Sequence, residues 1–281
     1  MIKIDGKEVE FKTFPNNETL FNHNSLDAVH GWIPQQVQFK YESDWDLIKL
    51  AMLKDYLDTL NVKSADLVIY YMPYSRMDRS ENGSPFTLKT IANFINRLNF
   101  PVVTVVEPHS DVTCALLDNS NPYYINYNLI SAVKTKVGFD DNIDYIVFPD
   151  AGAQKRYSKM PVKKPLVGFK HRNFETGKIE SLEIVGQVDK VSPRPAKAII
   201  VDDLSSYGGT FVATANALRE QGISEVYLLV AHSENSIFKG KLFDHVDKVF
   251  TTDSILTDHK GNWNTSTYKD QLEVFEIEKL I

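Results

Sequence analysis

The chain reads as an α/β protein built from doubly wound, mainly parallel sheets in two domains. Short apolar runs without alternation recur along it, as expected for parallel strands covered on both faces. Segments of helical period separate those runs. The length, 281 residues, corresponds to about two domains at roughly 150 residues each.

The predicted strands are residues 66–74 (DLVIYYMPY), 101–107 (PVVTVVE), 144–150 (DYIVFPD), 165–169 (PLVGF), 197–203 (KAIIVDD) and 225–231 (EVYLLVA). Three helices are predicted among them. Residues 44–60 place Trp45, Ile48, Met52, Leu53 and Tyr56 on one face, with Asp44 as the cap. Residues 86–98 have the same character, as do residues 210–221, which Gly222 should stop. A change of domain is expected within 125–143, giving a first domain of 1–135 and a second of 136–281. Packing of the last strand back onto the first domain is left open.

Composition narrows the function. Hydrophobic residues make up 43% and charged residues 24%, the balance of a globular chain. No apolar run reaches the ~18–20 residues of a membrane span, so no membrane partner is expected. A net charge of −6 argues against a dedicated nucleic-acid binder. It leaves room for small anions held by a few placed cations. The single cysteine, Cys114, excludes intrachain disulfides and cysteine-rich metal sites, and a reducing cytoplasm is the expected location.

The most informative stretch is Ala198–Thr210, AIIVDDLSSYGGT. An apolar strand ends in two acids, Asp202 and Asp203. Ser205, Ser206, Tyr207, Gly208 and Gly209 follow as a turn, and Thr210 opens a helix. Ligands of parallel sheets bind at the carboxyl ends of strands, where helix N-termini offer unpaired N–H groups to anions. The glycines let backbone approach a phosphate, and the acids suit sugar hydroxyls or a hydrated Mg²⁺. An ordinary strand–turn–helix with capping acids is the plain alternative.

This segment resembles the phosphoribosyl-pyrophosphate loop of the type I phosphoribosyltransferase superfamily, and other segments point within it to the phosphoribosyl-pyrophosphate synthetases. Tyr71–Arg79 (YMPYSRMDR) looks like their R-Q-D-R segment, and Val106–Thr113 (VEPHSDVT) like their D-L-H segment. Phe148–Arg156 (FPDAGAQKR) is similar to the pyrophosphate loop, S-P-D-x-G. Phe169–Arg172 (FKHR) resembles the K-R-R of a mobile catalytic loop that would here include 173–181 (NFETGKIES). Thr13–Thr19 (TFPNNET) looks like F-S-D-G-E, which contacts adenine from a neighbouring subunit.

The resemblance runs in register over about residues 11–256. It implies two phosphoribosyltransferase-like domains and transfer of the terminal diphosphate of ATP to the anomeric hydroxyl of ribose 5-phosphate. By the same resemblance Lys170 and Arg172 are catalytic, and Phe14, Glu18, Arg76, Asp78 and His109 bind ATP. Asp150, Ala151 and Gly152 form the pyrophosphate loop, residues 202–203 and 205–210 hold the sugar phosphate, and His109 and Asp150 carry Mg²⁺. ATP and a ribose-phosphate acceptor are the implied partners, within a homo-oligomer of two or more subunits.

The chain also departs from the pattern. The family loop reads D-D-x-x-D-T-G/A-G-T, whereas Ser206 stands at the third acid and Tyr207 at the small threonine. A flat ring at Tyr207 admits a larger acceptor such as ADP-ribose, which would connect the chain to NAD metabolism. If the ring instead packs against protein, a simple phosphate remains suitable. Met77 replaces the glutamine of R-Q-D-R, and Glu107 and Pro108 precede His109 in place of aspartate and leucine. Segment 80–85 (SENGSP) is less basic than the family's run, which weakens the case for allosteric phosphate binding. Both ends look short beside the family, so a hexamer is not assumed. Arg76 and Arg79 have a plainer reading as surface ion-pair partners. A catalytically silent regulatory relative and a phosphoribosyltransferase are the competing functions.

Overall fold

In a computed structural model, residues 1–23, 26, 34–81, 83–189 except 173–178, 191–257 and 267–281 are described. The chain divides into two compact units, Met1–Tyr124 and Ile125–Ile281.

The first unit holds a sheet in the order β2-β1-β5-β6-β7-β8. Strands β5 (Gln36–Phe39), β6 (Asp66–Ile69), β7 (Val103–Val106) and β8 (Ser120–Tyr123) run parallel. Helices α1 (Trp45–Thr59), α2 (Thr87–Arg97) and α3 (Asp111–Leu116) connect them in turn. Strand β1 (Ile2–Ile4) pairs antiparallel with both β5 and β2 (Lys7–Glu8). Strands β3 (Phe11–Thr13) and β4 (Thr19–Phe21) form a separate hairpin.

The second unit begins with α4 (Asn126–Val137), so the division falls before the expected boundary after residue 135. The helix belongs there because it buries Leu129, Ile130, Val133 and Val137, and because its first residues bond to the second unit. Asn126 Nδ2 donates to the Tyr157 hydroxyl and Tyr127 donates to the Arg156 carbonyl. The sheet order is β11-β10-β9-β12-β13-β14-β15. Strands β9 (Tyr145–Phe148), β10 (Pro165–Arg172), β12 (Lys197–Ser205), β13 (Glu225–Ser233), β14 (Lys248–Thr252) and β15 (Leu272–Phe275) are parallel, and β11 (Ile179–Val185) is antiparallel to β10. The last strand, β15, forms the edge of this second sheet and pairs in parallel with β14.

Helix α5 (Ala151–Arg156) carries the chain from β9 to β10 on one side, and α6 (Gly209–Glu220) carries it from β12 to β13 on the other. The strand order therefore reverses between β9 and β12, opening a crevice beyond their carboxyl ends. Strand β9 is buried along its whole length, which is why its sequence does not alternate.

Helix α1 corrects the predicted face. Leu47, Leu50, Leu53 and Leu57 are buried, whereas Trp45 and Ile48 are exposed. The leucines recur at helical spacing and win the sheet side. Asp44 does not cap α1 with its side chain, because its carboxylate accepts from the Tyr41 and Tyr74 hydroxyls, both at 2.7 Å. Buried Asp46 accepts instead from the Glu42 and Ser43 amides at 3.0 and 2.9 Å. Cys114, on α3, is half-buried, and burial together with the Asp111 charge pushes its thiol up.

Near the amino-terminal ends of β9 and β12, Asp144 is 1% exposed and accepts from both Arg194 terminal nitrogens, at 2.9 and 2.6 Å. The Lys197 and Asp140 amides also donate to it. Burial opposes ionisation, but the Arg194 bond and charge and these amides outweigh it and hold the Asp144 carboxyl below its ordinary value. Its contribution is therefore full above the unfolded value of ~3.9 and fades as pH falls through the folded one. Asp144→Asn should cost about 3 kcal/mol at pH 7 and flatten the acid limb of a urea-midpoint-against-pH curve. An unchanged acid limb would contradict this assignment.

Candidate active site

Two parallel strand ends build the site of the second unit. After β9 the chain passes Pro149 to Asp150, which caps α5 by accepting the Ala153 amide at 2.9 Å. Gly168 of β10 permits this path, since a Cβ there would stand 2.7 Å from the Pro149 carbonyl oxygen. Ala151 and Gly152 form the first turn of α5, so Asp150–Gly152 lies at the switch-point crevice.

The end of β12 supplies Asp202 and Asp203. Arg156, the last residue of α5, reaches both with one nitrogen: Nη1 lies 3.0 Å from Asp202 Oδ1 and 2.9 Å from Asp203 Oδ1. All three side chains are nearly buried, at 10, 14 and 5% exposure. Burial and the neighbouring Asp203 charge drive the Asp202 carboxyl well up, while Arg156 opposes them and Asp150 adds to the repulsion. Asn126 Nδ2 fixes the backbone here by donating to the Asp202 carbonyl at 2.8 Å. Arg156 closes the sequence motif FPDAGAQKR, and its role as the acids' cation comes from the fold. Its spacing from Asp150, one short helix away, was the available signal.

The loop after β12 is braced step by step by residues 234–242. The Glu234 amide donates to the Ser205 carbonyl at 2.9 Å. The Ser206 and Ser236 hydroxyls lie 3.0 Å apart, and Ser236 donates to Glu234 Oε2 at 3.1 Å. A Cβ on Gly240 would overlap the Tyr207 carbonyl oxygen. Gly208, at φ +81°, lies where a Cβ would be 2.9 Å from Leu242 Cβ, so glycine is required there for both conformation and space. Nothing crowds Gly209, the first residue of α6, and half-buried Thr210 follows it. Ser205 is buried, whereas Tyr207 is 58% exposed. The bracing segment escaped sequence reading because the contacts join positions about thirty residues apart.

In the first unit, Asp78 is buried and accepts from Ser110 at 2.7 Å and from Arg79 Nε at 3.0 Å. Burial opposes ionisation, yet these bonds and the charges of Arg79 and His109 hold its carboxyl down. The fold thus brings Asp78 and His109 together, with His109 half-buried after β7. Arg79 also lies 3.6 Å from Glu81, the ion-pair reading of that segment, and Arg76 is exposed. Glu107 is buried with φ +45°. Phe14 and Glu18 lie at the exposed β3–β4 turn, where the Phe14 amide donates to the Glu18 carbonyl at 2.8 Å.

Phe169–Arg172 ends β10 as ladder backbone, with Lys170 opposite Leu182 and a register shift between His171 and Arg172. Those four residues are strand rather than loop, because β11 supplies their backbone partners. Residues 173–178 of the expected catalytic loop lie outside the described residues.

Among the described residues no three His, Cys, Asp or Glu side chains converge as a metal cage. Magnesium keeps most of its waters and needs only one or two carboxylates beside phosphate oxygens. The all-oxygen acids Asp150, Asp202 and Asp203 fit that demand, with two crowded carboxylates sharing one arginine nitrogen. The imidazole of His109 suits magnesium less well.

Arg156→Ala should lower stability by about 3 kcal/mol in urea unfolding, because two nearly buried carboxylates lose their common cation. Adding Asp203→Asn should recover part of that loss. Equal stability of the Arg156→Ala variant and the parent would refute the role of the bridge.

No protein-family model matches the chain. The ribose-phosphate pyrophosphokinase of Pyrococcus abyssi is 28% identical over 230 residues, covering 80% of this chain and 75% of that one. That of Pyrococcus furiosus is 26% identical over 255 residues, covering 89% and 86%. Among solved structures, the phosphoribosylpyrophosphate synthetase of Mycobacterium smegmatis has the same fold, with a TM-score of 0.71 at 20% identity over 98% of this chain and 87% of that one. Among the described residues no helix is long and apolar enough to cross a membrane. The chain is a divergent homologue of the ribose-phosphate pyrophosphokinases, which are transferases, and carries the phosphoribosylpyrophosphate synthetase fold with phosphoribosyltransferase-like α/β units.

Proposed function

We propose that this protein is an ATP-dependent pyrophosphokinase. It transfers the β,γ-diphosphate of ATP to the C1 hydroxyl of a ribose 5-phosphate moiety, giving a 1-diphosphate and AMP. The observation that carries this reading is the switch-point crevice, where β9 delivers Asp150 and β12 delivers Asp202, Asp203 and the braced glycine loop. The relatives' name supports the same reaction.

In this reading the first-turn N–H groups of α6, with Thr210, hold the acceptor's phosphate. Asp202 and Asp203 accept hydrogen bonds from sugar hydroxyls and so orient C1 toward the donor. The C1 oxygen attacks the β-phosphorus, the bond from that phosphorus to the bridging oxygen of AMP breaks, and the hydroxyl proton passes to solvent. Lys170 and Arg172 neutralise charge on the diphosphate and the leaving AMP. Phe14, Glu18, Arg76 and Asp78 take the adenosine end of ATP. His109 on the first unit would hold the Mg²⁺ of MgATP and Asp150 on the second unit would hold a second Mg²⁺, each of which would offset charge on phosphate oxygens. The protein acts in the cytoplasm as a homo-oligomer.

A second acceptor is favoured by one observation. Tyr207 does not pack away into the protein but is 58% exposed beside the phosphate loop. An exposed ring there suits an acceptor extended beyond its phosphate by a base, as in ADP-ribose.

Incubation with ATP, Mg²⁺ and either ribose 5-phosphate or ADP-ribose should release AMP and a 1-diphosphorylated sugar, identified by mass spectrometry. No AMP with either acceptor would overturn the reading in favour of a silent relative or a phosphoribosyltransferase. Lys170→Ala should lower kcat by about 10²–10³-fold with little change in the urea midpoint. An unaltered rate would remove Lys170 from the mechanism. Tyr207→Thr should shift preference toward ribose 5-phosphate if the ring serves the larger acceptor, and leave it unchanged otherwise.

A further inference from the structure

The bond directions in the brace contain a selectivity device. A carboxylate can only accept, so the bond between Ser236 and Glu234 Oε2 uses the single proton of the Ser236 hydroxyl. The 3.0 Å contact between Ser206 and Ser236 must then run the other way, with Ser206 donating. Ser206 therefore spends its own proton inside the protein and has none for a phosphate oxygen in the loop. The Glu234 charge is connected to the loop through two hydroxyls, and its amide bond to the Ser205 carbonyl fixes its backbone against that loop. With Ser206 committed in this way, its hydroxyl offers no donor to a dianionic phosphate.

We propose that the Glu234–Ser236–Ser206 relay sets the charge accepted by the loop, selecting an acceptor whose 5-phosphate is esterified over a free phosphate monoester. An esterified phosphate carries a single negative charge, whereas a monoester carries about −1.5 to −2 at pH 7. The helix N-terminus attracts both, but the nearby carboxylate and the committed Ser206 proton penalise the second charge. This inference rests on the pyrophosphokinase reading and refines its acceptor. Glu234 and Ser236 act through Ser206, so they are positioning residues.

The test measures binding by calorimetry and turnover by AMP release for three acceptors: ribose 5-phosphate, its 5-methyl phosphate ester and ADP-ribose. The methyl ester separates charge from contacts made by adenosine. The parent protein should bind the methyl ester more tightly than ribose 5-phosphate. Glu234→Gln should shift that ratio about tenfold toward ribose 5-phosphate, mainly in Kd and KM rather than kcat. Ser236→Ala, which releases the Ser206 proton, should shift it in the same direction, and Ser236→Thr should restore the parent ratio. An unchanged ratio in both Glu234→Gln and Ser236→Ala overturns the proposal, as does tighter binding of ribose 5-phosphate by the parent or failure of all three acceptors to bind. If the binding ratios shift as expected but no AMP forms, the selectivity relay stands and the pyrophosphokinase reading fails.

Discussion

Two carboxylates in succession at the end of a buried strand repel one another and lose hydration, so something must hold them. Arg156 does so with a single nitrogen placed between Asp202 and Asp203. The bond joins the end of α5, which follows β9, to the end of β12, so it spans the strand-order reversal. Without that clamp, the paired acids at the crevice would lose the cation that lies between them. The surrounding residues serve the same placement. Asn126 ties the Asp202 backbone to the Tyr157 hydroxyl, and Phe148 stacks on the Tyr157 ring at 6.2 Å.

The loop that follows shows a second kind of constraint. A glycine-containing turn is flexible by composition, yet each position from Ser205 to Gly208 meets a partner in residues 234–242. The two glycines at the contact have different jobs. Gly208 supplies a positive φ and room for Leu242, whereas Gly240 only makes room for the Tyr207 carbonyl. A turn supported in this way loses less freedom when it takes up a ligand, which is how a loop becomes a binding site rather than a connector. In the first unit the same economy appears around Asp78, where Ser110 and Arg79 organise one buried carboxylate beside His109.

Much of this was legible along the chain. The unalternating runs at 145–148, 197–205 and 225–233 are strands because both faces are covered, and composition alone carries that signal. The paired acids and glycines of the loop were also visible, since strand, turn and helix are contiguous there. Helix α4 was less legible as part of the second unit, because its assignment rests on bonds from Asn126 and Tyr127 to residues beyond β9. The buried face of α1 is not legible from apolar spacing, because apolar residues occur around more of the helix than the sheet covers, leaving Trp45 and Ile48 outside. Asp44 had the right residue type and position for a cap, but two tyrosine hydroxyls claimed its carboxylate.

By itself the sequence determined the α/β class, the positions of β9, β10, β12 and β13 along the second unit, and the run of paired acids, glycines and helix that follows β12. Those features depend on local hydrophobic pattern and on residues adjacent in the chain. Only the tertiary structure decided that Arg156 clamps the acids, that residues 234–242 brace the loop, and that the Ser206 and Ser236 hydroxyls meet. Such assignments depend on which groups meet across the sheet, and a hydrogen bond reads distance and direction in space rather than separation along the chain.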